Sequence, residues 1–185
     1  MPFIKTPRLE MFVEERGVGS PVLFVSGTGA DLRVKPNVLD SPLAKSFRVI
    51  AYDQRGLGQT QKPLGPYEME DYSKDAIALL DKLDIENIHL IGVSFGGMVA
   101  LHVALQYPER ITKVVLCCTS PGGDFASFPF HDLPDDQTAT ERAMQLMEFN
   151  DLRRTRTWQK DNATRVDAMI KVMNSSLIKD HSTPE

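Results

Sequence analysis

The feature that most constrains the fold is an alternation, over residues 9–118, of short apolar runs with stretches of helical periodicity. "PVLFVSG" (21–27), "FRVIAYD" (47–53), "NIHLIGV" (87–93) and "ITKVVLCC" (111–118) read as strands, and "LEMFVEERG" (9–17) as a strand running into a turn. Tyr72, Ala76, Leu79, Leu80 and Leu83 recur at helical spacing, with Glu70 and Asp71 near the helix start, where the peptide dipoles favour carboxylates. Met98 to Gln106 reads as a second helix, stopped by Pro108. Strand–helix–strand alternation with short links requires a mostly parallel sheet, and strands that are apolar throughout imply burial on both faces under flanking helices. The fold class expected is therefore α/β, a mostly parallel sheet flanked by helices.

The pattern changes after "TSPGG" (119–123). From about residue 136 to 180 the apolar residues Ala143, Leu146, Met147, Val166, Met169, Ile170 and Met173 recur at helical spacing, with no strand pattern. The 185 residues suit one domain. The expected organisation is a core portion over residues 1–123, then a partial helical cap and tail over 124–185.

A formal net charge of -4 gives no electrostatic basis for binding nucleic acid or an anionic membrane. "RRTR" (153–156) has Glu148, Asp151 and Asp161 around it and reads as a solvated helix face. No apolar run approaches the roughly 20 residues that cross a bilayer. The first 17 residues carry charges throughout and lack the apolar centre of a signal peptide. Cys117 and Cys118 are neighbours on a strand, point to opposite faces and read as buried, reduced thiols. A cytoplasmic domain is the expectation.

"GVSFGG" (92–97) lies where a strand gives way to a helix. In the pattern G-x-S-x-G the serine occupies a strained turn that lifts its hydroxyl above the end of the sheet, and the flanking positions admit no side chain. Gly92, Ser94 and Gly96 fit the pattern, and Gly97 extends it. The competing reading is a glycine-rich turn whose serine merely caps the helix. A nucleotide-binding loop is disfavoured, since neither G-x-x-x-x-G-K-[ST] nor G-x-G-x-x-G stands at a strand–helix junction.

With this elbow, the chain resembles the α/β-hydrolases. "SGTG" (26–29) stands where that family carries its oxyanion loop, with Ser26 in place of the usual histidine. "YDQRGLGQT" (52–60) resembles the family's Asp-x-Arg-Gly turn, and "YPERITKVVL" (107–116) its link from the elbow helix to the next strand. The likeness is dense over residues 9–123, and within the family the stretch 65–101 is most similar to the enol-lactonase and small carboxylesterase branch. The resemblance implies a serine hydrolase of small esters or lactones working through an acyl-enzyme, with no cofactor. Ser94 is then the nucleophile, and backbone N–H groups of Phe95 and Thr28 form the oxyanion hole.

The same resemblance implies an acid and then a histidine further along the chain. Asp124 is a candidate acid, with a plain turn aspartate as the alternative. The strands that would carry the histidine do not appear before "SSLIKDHSTPE", so the chain reads as the front portion of a serine hydrolase. His89, His102, His131 and His181 each have a blander reading than catalysis, His131 and His181 least so. Two functions stay open: a hydrolase whose base comes from chain not shown, and a shortened isoform acting as a non-catalytic binding or interaction module. No Cys, His or Asp cluster has ligand spacing, so no metal is expected. Strand 113–118, without its usual neighbour, is expected to be an exposed edge through which the chain self-associates.

Overall fold

The computed structural model describes residues 2–125, 134 and 136–178. They fall into two compact units, which divide between residues 127 and 128.

The first unit is built on a six-stranded sheet of order β1-β2-β4-β3-β5-β6. Its strands are β1 (Phe3–Lys5), β2 (Glu10–Arg16), β3 (Pro21–Val25), β4 (Arg48–Tyr52), β5 (Ile88–Val93) and β6 (Ile111–Cys117). β4, β3, β5 and β6 run parallel, while β1 and β2 are antiparallel to their neighbours. The expected α/β class holds. β1 escaped the sequence reading because three residues, two of them exposed, carry no periodicity.

Alternate residues of β4 divide the core. Ile50 and Tyr52 join a cluster with Leu23, Leu90, Leu79, Leu80, Val99 and Val103, under the helices α1 (Met69–Lys82) and α2 (Phe95–Gln106). Val49 and Ala51 face the other way, onto Phe12, Leu32 and Leu39. Among the described residues that second face is covered by the 3₁₀ turns Val38–Asp40 and Pro42–Lys45. The intervening segment holds Pro36 and Pro42, and proline interrupts the backbone hydrogen bonds of a longer helix. α2 begins at Phe95, directly after the elbow and three residues before the predicted start.

β6 departs from the general pattern of strands buried on both faces and stands at the edge expected for residues 113–118. It lies at the sheet edge with Val114, Val115 and Leu116 between 39% and 49% exposed. The cysteines are corrected with it, since Cys117 is only half-buried and Cys118 is exposed.

The second unit contains α3 (Ala139–Asn150), α4 (Arg156–Asp161) and α5 (Ala163–Ile178). Ala143, Met147, Val166 and Ile170 form its buried cluster, with Met144, Trp158 and Met169 against it. Thr138 caps α3: its hydroxyl accepts from Glu141 N–H at 3.2 Å, and Glu141 accepts from Thr138 N–H at 2.9 Å. Arg153 and Arg154 stand in the turn before α4 and both pair with Asp151, while Arg156 opens α4 and faces Glu148 at 3.6 Å, so only the end of that cluster is helical. No helix among the described residues is long and apolar enough to cross a membrane.

Candidate active site

β3, β4 and β5 end side by side, and the chain passes from β4 to β5 across β3. In open α/β sheets a crevice forms at such a reversal of strand order, beyond the carboxyl ends. Ser94 is the first residue after β5. Its φ of 53° and ψ of -122° lie in a region that L-residues rarely enter, at a cost of about 1–3 kcal/mol. The surroundings hold it there. Ser94 N–H donates to Cys117 O at 2.9 Å, and Thr119 Oγ1–H donates to Ser94 O at 2.7 Å. The side chain is exposed, and its hydroxyl makes no helix cap and no other hydrogen bond among the described residues. The capping alternative therefore fails on geometry.

The glycines explain how the turn closes. A Cβ on Gly92 would meet Gly96 O at 2.5 Å and Ala100 Cβ at 2.7 Å. One on Gly96 would land on Val25 O and Ser26 O, and one on Gly97 would meet Thr119 Cβ at 2.5 Å. Strand, turn and helix touch through backbone alone.

Because α2 starts at Phe95, the N–H groups of Phe95 and Gly96 precede the first intrahelical bonds and remain unused by the helix. The helix start also favours negative charge beside Ser94. Loop 26–32, after β3, approaches from the other side: a Cβ on Gly27 would lie 3.2 Å from Ser94 Cβ. Thr28 is exposed within the turn that Ala30 N–H closes on Gly27 O at 3.3 Å. Phe95 packs edge-to-face on Tyr72 of α1, with 5.0 Å between centroids.

Ser94, Phe95, Gly92, Gly96 and Gly97 are thus gathered at one place with the loop that bears Thr28. No described histidine joins them by a hydrogen bond to Ser94. His89 on β5 lies edge-to-face on Phe47 at 5.9 Å, with its Nδ1 buried and unpartnered. His102 is half-buried along α2. Asp124 is exposed in the 3₁₀ turn Gly123–Phe125 and pairs with nothing among the described residues. His131 and His181 lie outside the described residues. Thr119 escaped the sequence reading, for a threonine beyond a strand end looks like any loop residue. No three metal-ligating side chains gather among the described residues.

Comparison with known proteins agrees with this architecture. A variant of the meta-cleavage product hydrolase CumD superposes with a TM-score of 0.63 at 27% identity, covering 91% of this chain and 62% of that one. The enol-lactonase of Burkholderia xenovorans LB400 gives 0.62 at 24% identity, over 92% and 66%, a likeness of fold. Among curated relatives, the 2-hydroxymuconate semialdehyde hydrolase of Pseudomonas sp. (strain CF600) is 36% identical over 120 residues, 63% of this chain and 41% of that protein. The poly(3-hydroxyalkanoate) depolymerase of Ectopseudomonas oleovorans is 37% identical over 103 residues, 56% of this chain and 36% of that protein. The chain thus spans about four tenths of the length of the curated relatives it matches. The description of the alpha/beta hydrolase fold matches residues 20–170, well over half of the sequence, and the chain belongs to that family.

Proposed function

We propose that the chain carries the nucleophile and oxyanion-binding part of a serine hydrolase acting on a small ester or lactone. The observation that carries the reading is Ser94 at φ 53° between β5 and α2, its exposed hydroxyl unused by the protein. Ser94 Oγ attacks the acyl carbonyl, its proton passes to a base, and the C–O bond to the alcohol breaks to leave an acyl-enzyme. Water then releases the acid. Phe95 and Thr28 N–H groups hold the oxyanion through both steps. The base is not among the described residues. Asp124 is the candidate acid that orients it, and the helices of the second unit are read as part of a helical cap. Ester and lactone substrates suit the shared chemistry of attack by a serine on an acyl carbonyl, and the relatives named above at 36% and 37% identity are by name a hydrolase and a depolymerase.

The test is a stopped-flow time course with p-nitrophenyl acetate, beside Ser94→Ala. Sustained turnover lost in the variant supports the full mechanism. A Ser94-dependent burst that stalls supports acylation without a working base, for losing the base costs about 10⁶ in turnover. Identical traces overturn the enzyme reading and favour a non-catalytic binding module. We propose in addition that the outer edge of β6, at residues 113–118, pairs with a second copy, since its valines and leucine are exposed there.

A further inference from the structure

Loop 26–32 bears Thr28, and its backbone is gripped from the carboxyl end of β4. Gln54 is 2% exposed, and its Nε2 donates to Ser26 O at 2.8 Å. Asp53 is equally buried. Its Oδ1 accepts from Leu32 N–H at 2.8 Å and its Oδ2 from Gln59 N–H at 2.9 Å. Two consecutive side chains therefore hold the first and last residues of the loop. Ser26 O is also one of the atoms that a Cβ on Gly96 would strike, so the carbonyl bound by Gln54 is packed against the start of α2. Gly27, the next residue, is the one that lies against Ser94.

Gln54 sits there at a cost. Its Oε1 is buried without a partner, and an unpaired buried acceptor is unfavourable. An apolar side chain of the same length would avoid that. What it would lose is the bond to Ser26.

Backbone donors stabilise developing charge only when already aimed at it. We propose that Asp53 and Gln54 are positioning residues that clamp the Thr28 loop against the Ser94 turn, an inference that rests on the reading of Ser94 as nucleophile. Neither touches the reacting atoms. Gln54 fixes where the loop leaves β3, and Asp53 fixes where it returns.

The experiment uses an alkyl fluorophosphonate, whose P–F bond breaks as Ser94 Oγ bonds to phosphorus, with loss of fluoride and a proton. Intact mass gives the labelling rate against probe concentration for wild type, Gln54→Met and Asp53→Asn. Exchange of the Ala30 and Leu32 amides is followed in parallel by NMR. For Gln54→Met the expected result is a maximal labelling rate about tenfold or more lower, since losing an oxyanion donor outright costs about 10²–10³ and a misaimed one costs part of that. The half-saturating concentration stays within about twofold of wild type, and protection falls at Ala30 and Leu32 but not in α1 or β5. A maximal rate within about threefold of wild type overturns the clamp, as does an equal loss of protection in α1 and β5. Should Gln54→Met fail to fold, Asp53→Asn is judged by the same outcomes. If wild-type Ser94 takes no label, the nucleophile reading falls. The clamp is then decided by exchange alone, and unchanged protection at Ala30 and Leu32 overturns it.

Discussion

Asp75 on α1 is 2% exposed and accepts three hydrogen bonds from two arginines. Arg55 Nε and Nη2 reach it at 2.6 Å and 2.9 Å, and Arg8 Nε at 2.7 Å. Arg55 is itself 8% exposed, and its guanidinium lies 5.4 Å from the centre of the Tyr67 ring. Its pKa is held above the usual arginine value, first by the hydrogen bonds to Asp75. Asp75→Leu removes the carboxylate and strands a buried cation, a change that costs about 3–5 kcal/mol in comparable pairs. Two observations set the loss at the lower end, about 3 kcal/mol. Asp71 still faces Arg55 Nη1 at 3.6 Å, and Arg8, 30% exposed in its side chain, regains water. Arg55→Met leaves the opposite charge buried, at a similar cost. The double variant leaves neither, because Arg8 and Asp71 remain paired at 2.9 Å. The double loss should therefore fall short of the sum by about 2 kcal/mol, the coupling expected of residues in one network. Urea unfolding followed by circular dichroism at constant m-value measures all four proteins. Single losses below about 1 kcal/mol, or additive effects, would refute the argument that the turn after β4 is tied to α1 by one coupled ionic unit.

Three further outcomes are expected. Ser94→Gly relieves the positive φ and should stabilise the protein by about 1 kcal/mol in urea while abolishing fluorophosphonate labelling; a loss of stability would contradict the strain. Burial raises the Asp53 carboxyl above its usual pKa, so the folded state holds that proton more tightly than the unfolded chain. Its contribution to stability is full below the unfolded value of about 3.9 and is lost as pH rises through the folded one. Asp53→Asn should therefore gain on wild type as pH rises above the unfolded value of about 3.9 in a urea series, and a constant difference would count against the assignment. Sedimentation velocity should show wild type associating with rising concentration, and Val115→Lys on the β6 edge should return it to monomer. Equal sedimentation of the two proteins would remove β6 as the contact.

The core strands were legible because burial requires them to be apolar. β3, β4 and β5 fall within the runs read from the sequence, and their ends needed no side-chain information beyond Gly27, Asp53 and Gly92. The elbow was legible for a related reason: Gly92, Gly96 and Gly97 mark places where backbone meets backbone. What stayed hidden was what depends on the identity of a distant neighbour. Gln54 and Thr119 act on Ser26 and Ser94 across the sheet, and no local pattern announces either bond. The segment between β3 and β4 received no assignment from the sequence, and two short 3₁₀ turns fill it. β6 is as apolar as its buried neighbours, so its exposed edge was expected from its place in the strand order and not from its composition.

The bonds that fix Ser94 have a consequence for the order of assembly. Both reach it from the far end of β6, through Cys117 O and Thr119 Oγ1. Neither can form until β6 has been laid beside β5, and during synthesis residues 117 and 119 leave the ribosome after all of β5 and α2. Until then the turn lacks both of these bonds to hold its unfavourable backbone conformation. The strained turn is thus fixed only after β6 has joined β5. On the reading proposed for Ser94, its nucleophilic geometry is fixed only once residues 117 and 119 are in place.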